Sequence, residues 1–248
     1  MNKIFLEKGL AKKALYLIVI LILMYNLIYI GNYLWQSHNN KKLQVQLKDT
    51  YHKDANNQIN GEDILDKFKP LLEINDEIVG WINIKDTNID YPVVQGEDNK
   101  FYLDHNVKKE KSKAGSIFMD YRNNGDDRDK NTILYGHHMK DGTMFKDLMG
   151  YKDPNFLKDH LIISFSTLYK KNLWEIFSVY VTDIEFDYIK TDFHTDEEYH
   201  KFLEEITEKS LFNTNIQPTI EDKIITLSTC SYEFDNGRFV VHGRKINY

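Results

Sequence analysis

The sequence predicts a mainly β protein with added helices: a closed or nearly closed barrel of about eight short strands, preceded by an N-terminal transmembrane helix. Three observations carry that reading. An uncharged apolar run fills residues 14–35. Beyond residue 72, runs rich in β-branched and aromatic residues alternate with turn clusters, and one amphipathic helical segment interrupts them near residue 200.

The run from Ala14 to Trp35 (ALYLIVILILMYNLIYIGNYLW) would span about 33 Å as a helix, enough to cross a bilayer. A cleaved leader has a shorter apolar region followed by a small-x-small site. None follows Trp35, so the segment is expected to stay attached. Lys3, Lys8, Lys12 and Lys13 precede the run, against Lys41 and Lys42 beyond it. That bias puts the N-terminus in the cytoplasm and the bulk of the chain outside the cell membrane, in a single pass. Tyr33 and Trp35 suit the interfacial aromatic belt. A core helix fits less well, because the run has no polar face.

The remaining 36–248 region is long enough for one globular domain plus a linker. A net charge of −6, with the 32 basic residues scattered, offers no basic patch to nucleic acid, and no nucleic-acid partner is expected. Residues 36–60 turn polar and read as a stalk, partly helical. Ile64, Leu65, Phe68, Leu71 and Leu72 then follow helical spacing, with Pro70 expected to end or bend that helix. The domain boundaries are accordingly 1–13 (cytoplasmic), 14–35 (signal-anchor helix), 36–60 (stalk) and 61–248 (folded domain).

Strands are expected over Gly80 to Ile84, Asp90 to Val94, Gly115 to Met119, Thr132 to Gly136, Leu161 to Phe165, Asn172 to Val181, Lys223 to Cys230 and Arg238 to Arg244. The clear helix starts at Thr195, which forms a capping box with Glu198. Tyr199, Phe202, Leu203 and Ile206 follow at i, i+3, i+4 and i+7.

Cys230 is the single cysteine. Alone in an extracellular domain it is a buried small hydrophobe, an intermolecular link or a reactive thiol. It ends the strand Ile224 to Cys230, whose alternation puts Thr226, Ser228 and Cys230 on one face and Ile225, Leu227 and Thr229 on the other. A thiol among hydroxyls, and not among aliphatics, points toward solvent or substrate.

Arg238 opens the next strand. Were Asn236-Gly237 a two-residue turn, Asp235 would pair with Arg238, and the thiol and guanidinium would lie about 16 Å apart. Only a wide loop over residues 231–237 brings Cys230 opposite Arg238. Among the nine histidines, His137 ends a buried-looking strand in Tyr135-Gly136-His137-His138, where catalytic side chains commonly sit. His138 would face elsewhere. His242 is the rival base, on the same face as Arg238 but about 13 Å further along. The His-His pair lacks further ligands at metal spacing, so no metal and no cofactor are expected. A thiolate nucleophile, an imidazolium acid and a fixed guanidinium charge are together the parts needed for acyl transfer at a carbonyl.

The segment TLSTC (Thr226 to Cys230) resembles the T-L-x-T-C signature of sortases, YGHH resembles their histidine motif, and Arg238 lies at the expected distance after the cysteine. The resemblance runs from Leu72 to Tyr248, includes EINDEIVGWINI and NIDYPVVQG, and is closest to class B. It implies an eight-stranded sortase-type β-barrel with catalytic Cys230, His137 and Arg238, and with Ser228, Asn99 and Leu103 lining the substrate groove. The plainer alternative makes Leu103 a core residue and Asn99 a turn residue. Ser231 stands where some class B members carry an acid. No counterpart of the class A calcium cluster is seen.

The implied activity is cysteine transpeptidation. A C-terminal sorting signal on a surface protein is cleaved after Thr through a thioacyl intermediate, and the protein is passed to a peptidoglycan amine. The alternatives are a thiol peptidase with no amine acceptor and a membrane-tethered binding module with a structural Cys230.

Overall fold

The computed structural model describes residues 2–53, 64–125, 128–230 and 236–246, with side chains from residue 12 onward. Residues 54–60 of the expected stalk, Gly61, Ser231 and the rest of the 231–235 stretch lie outside the described residues, as do the side chains of Lys3 and Lys8.

Helix α1 (Asn2–Lys53) contains the uncharged run and is, among the described residues, the one helix long and apolar enough to cross a membrane. Its side chains from Leu15 to Ile30 are exposed. A compact unit begins at Gln44. Within it, the last turns of α1 lie on the first two strands: Tyr51 stacks on Trp81 with ring centroids 4.1 Å apart. The buried Asp90 carboxylate accepts hydrogen bonds from Trp81 Nε1 at 2.7 Å and His52 Nε2 at 3.1 Å, and pairs with Lys48 at 2.8 Å.

Eight strands close into a barrel: β1 (Ile78–Ile84), β2 (Asp90–Val94), β3 (Ile117–Met119), β4 (Asn131–Tyr135), β5 (Ile162–Thr167), β6 (Lys171–Thr182), β7 (Ile224–Cys230) and β8 (Arg238–Lys245). Their order around the barrel is β1-β2-β3-β4-β7-β8-β6-β5. The β2–β3 and β4–β7 pairs are parallel and the other neighbours antiparallel. Closure removes the exposed sheet edges that would invite association. Alternation along each strand fills the interior with Ile82, Val93, Ile117, Leu134, Ile163, Trp174, Leu227 and Val241. A bulge between Ile176 and Ser178 shifts the inward parity of β6, so Trp174 and Ile176 face the core before it and Val179 after it.

The outer face of β6, β7 and β8 is roofed by α4 (Asp196–Glu208). Tyr199, Phe202, Leu203 and Ile206 bury against Phe177, Tyr180, Ile224 and Val240. Each such burial stabilises by about 1.5–3 kcal/mol. Thr195 Oγ1 accepts from the Glu198 N–H at 3.1 Å, as the sequence predicts, but Glu198 reaches back to the His194 N–H at 2.7 Å and not to that of Thr195.

Two short elements differ from expectation. Pro70 starts a helical turn, α2 (Lys69–Leu72), which follows a 3-10 turn at Asp66–Phe68. The first helical turn has no N–H partner to lose, so a proline fits there. Strand β3 begins at Ile117, because Gly115 has φ +58° and a Cβ there would come within 2.6 Å of the Leu103 and Tyr102 carbonyl oxygens. The glycine lets the 101–103 turn close onto β3. The 3-10 helix Lys146–Lys152 and the short α3 (Pro154–Asp159) carry no strong periodicity and were not anticipated.

Candidate active site

A groove of about 510 Å³ opens on the outer barrel face, between the ends of β4, β7 and β8 and the β6–α4 connection. Cys230, His137, Arg238, Ser228, Asn99 and Leu103 all line it, together with Tyr135 and residues 184–189. The fold thus brings together all six residues expected at the catalytic and substrate-binding site.

Strand pairing does this work. In the antiparallel β7–β8 pair, Cys230 is the register partner of Arg238. The Asn236-Gly237 pair is therefore not a tight two-residue turn, and Cys230 stands opposite Arg238 as the catalytic reading requires. In the parallel β4–β7 pair, Tyr135 is level with Ser228, and the Gly136 N–H donates to the Ser228 carbonyl at 3.2 Å. Two residues further on along each strand's path come His137 and Cys230, and both line the groove. Gly136 is needed at this step because a Cβ would lie 2.7 Å from Phe145 Cδ2.

His137 Nε2 lies 2.6 Å from the Leu103 carbonyl oxygen. A carbonyl only accepts, so Nε2 carries a proton and Nδ1 is the nitrogen left to exchange one. Leu103 is 41% exposed, which removes the core alternative, and it contributes a side chain to the groove and a backbone oxygen to the histidine. Asn99 lines the groove while its amide is held inside the protein: Nδ2 donates to Asp120 Oδ2 at 2.9 Å and Oδ1 accepts from the Tyr121 N–H at 3.0 Å. The buried Ser228 hydroxyl pairs with Tyr188 OH at 2.8 Å. Burial raises the Tyr188 pKa, opposed by the Ser228 bond and the Arg238 charge, so the phenol stays protonated. Arg238 Nη1 donates to the carbonyls of Gly237 at 3.1 Å and Asn236 at 3.3 Å.

The rival histidine is sealed away. His242 has no exposed surface; its Nε2 lies 2.7 Å from Tyr180 OH and its Nδ1 2.9 Å from Thr226 Oγ1. Thr226 in turn donates to Asn131 Oδ1 at 2.7 Å, which fixes the order of donors: Nδ1–H to Thr226, Tyr180 O–H to Nε2. Burial pushes the His242 pKa down to about 3. His138 Nδ1 lies 3.2 Å from the Cys230 carbonyl, against the backbone of Cys230 and away from the groove lining. Among the described residues no cluster of His, Cys, Asp and Glu is arranged to hold a metal.

Several lining residues were not anticipated. Tyr135 is two residues before His137, so alternation alone could have found it. Tyr188 and Ile184 lie in a connection with no periodic signal, and Leu103's carbonyl has no side-chain signature.

The Sortase domain family model matches residues 82–246. The chain is 40% identical to sortase B of Listeria monocytogenes over 242 residues, which is 96% of this chain and 98% of that protein. Among solved structures, Bacillus anthracis sortase B in complex with AAEK1 superposes with a TM-score of 0.79 at 43% identity, covering 87% of this chain and all of the other. The Staphylococcus aureus sortase B–substrate complex superposes at 0.80 and 37% identity, covering 86% of this chain and 99% of that one. The chain belongs to the sortase family, and its relatives are sortases B. It is a cysteine transpeptidase that anchors surface proteins, which sets aside the binding-module reading.

Proposed function

We propose that Cys230 is the nucleophile, His137 the proton-transfer group and Arg238 the oxyanion stabiliser of a transpeptidase that cleaves a C-terminal sorting signal after Thr. The observation that carries this reading is the pairing of Cys230 with Arg238 across β7–β8, with His137 lining the same groove.

The Cys230 thiolate attacks the scissile carbonyl carbon, and the oxygen's new charge is met by the Arg238 guanidinium. The tetrahedral species collapses, the C–N bond breaks, and the leaving amine takes a proton from His137 Nδ1. A thioester on Cys230 remains. An incoming peptidoglycan amine attacks it and gives its proton to the now neutral His137. Collapse expels the thiolate, so one amide is exchanged for another. The Nε2–H bond to Leu103 orients the ring throughout. Ser228, Asn99 and Leu103 form the substrate-binding set, the first two by holding the walls and the third by its exposed side chain.

The uncharged span of α1 supports a single-pass anchor over 14–35, with residues 1–13 cytoplasmic, a stalk over 36–60 and the catalytic region 61–248 outside. The Gln44–Lys53 end of the stalk lies on the barrel.

The test uses the soluble fragment from Gln36 with fluorogenic sorting peptides, with and without an amine acceptor. Turnover should be lost in Cys230→Ala and His137→Ala, and the amine should divert the acyl product from hydrolysis to a new amide. Product that stays hydrolytic at saturating amine would make the enzyme a thiol peptidase.

A further inference from the structure

We propose that Asp120 is the positioning residue of the substrate groove: its buried carboxylate ties three separate walls of the groove to one point. The inference rests on the reading of this groove as the peptide site of a thiol transpeptidase.

Asp120 follows directly on β3 and has no exposed surface. The first wall is the 98–103 segment, held where Asn99 Nδ2 donates to Asp120 Oδ2 at 2.9 Å. The second is the end of β4, where Tyr135 OH donates to the same oxygen at 2.8 Å, two residues before His137. The third is the β6–α4 connection, reached through Arg122. That guanidinium grips Asp120 with Nε and Nη2, each at 2.8 Å, and its Nη2 also donates to the Ile189 carbonyl at 3.0 Å. Ile189 adjoins Tyr188, whose hydroxyl pairs with Ser228.

Burial of a carboxylate is unfavourable, and this one is kept ionised because the Arg122, Tyr135 and Asn99 bonds outweigh it and hold its pKa below the ordinary range. A buried ion pair adds little net stability over an apolar filling of the same shape. What it does contribute is geometry: donors from three segments must converge on two oxygens. None of the Asp120 hydrogen bonds among the described residues reaches Cys230, His137 or Arg238. Asp120 therefore acts on how the peptide is held, and not on the thiol chemistry. Arg122 extends that control to the connection that covers the groove.

Two variants test this. Asp120→Asn removes the charge at constant shape. Arg122→Lys keeps a positive charge on a half-exposed side chain but loses the fork and its reach to Ile189. For each, kcat and KM on a sorting peptide, the rate of Cys230 modification by a thiol-reactive sulfonate, and Tm are measured on the soluble fragment. KM should rise at least about tenfold in both, with kcat within about threefold and the Cys230 modification rate within about twofold of wild type. If Asp120→Asn fails to fold, Arg122→Lys decides alone. An unchanged KM in the folded variants, or a loss confined to kcat with altered thiol reactivity, overturns the assignment. Wild-type turnover of the same peptide is the separate control: its absence would strike the transpeptidase reading itself, and with it the groove this inference depends on.

Discussion

Cys230 and Arg238 face each other as register partners across the β7–β8 pair, although seven residues of chain separate them. The relationship puts a permanent charge beside the thiol without requiring either side chain to leave its strand. The planar fork of Arg238 also donates to the Asn236 and Gly237 carbonyls. A lysine would supply charge but neither the fork nor that anchorage. Arg238→Lys and Arg238→Ala should each lower kcat by about 10²–10³-fold, the size of a lost oxyanion donor, with little change in Tm. Full activity in the lysine variant, measured by peptide turnover, would mean that simple positive charge suffices.

The His137–Leu103 hydrogen bond predicts a tautomer. In ¹⁵N NMR of the free enzyme with this imidazole neutral, Nε2 should give the protonated and Nδ1 the unprotonated signature. The reverse pattern would contradict the proton route through Nδ1.

Gly136 passes close to Phe145 and Ile117 as the chain leaves β4. Gly136→Ala should cost about 1–3 kcal/mol by overpacking. It should also lower turnover, because the displaced backbone carries His137. Urea unfolding and peptide cleavage measured on the same sample check both effects.

The buried His242 predicts a pH dependence of stability. Its folded pKa of about 3 lies below the unfolded value of about 6.5, so the unfolded chain binds the extra proton between these limits. The contribution is present in full above pH 6.5 and is lost as pH falls toward 3. Between pH 7.5 and 5 it amounts to about 2 kcal/mol. Urea midpoints at the two pH values should show this fall in wild type and a smaller one in His242→Gln.

The barrel was legible because its strands are β-branched runs that alternate in burial. All eight expected strands occur, and β2 has the boundaries read from residue types. Where boundaries moved, a backbone reason intervened, as at Gly115, whose positive φ ends the turn before β3. Cys230 was legible from its polar strand face, a face that turns out to be the barrel exterior under α4. Residue alternation also placed Arg238 and His242 on one face, but could not tell that α4 and Tyr180 would bury the histidine and leave the arginine at the groove. The Asp120 hub was invisible in sequence, because Asn99, Arg122 and Tyr135 converge only after β3 and β4 pair.

In the proposed mechanism, acyl transfer passes through a thioester on Cys230. Intact-mass spectrometry of the soluble fragment, quenched in acid during turnover of a sorting peptide, tests it most directly. The expected result is a mass increase equal to the N-terminal acyl fragment, located on Cys230, absent in Cys230→Ala and discharged by an added amine. Undiminished cleavage by Cys230→Ala, with no adduct on the wild-type chain, would contradict it.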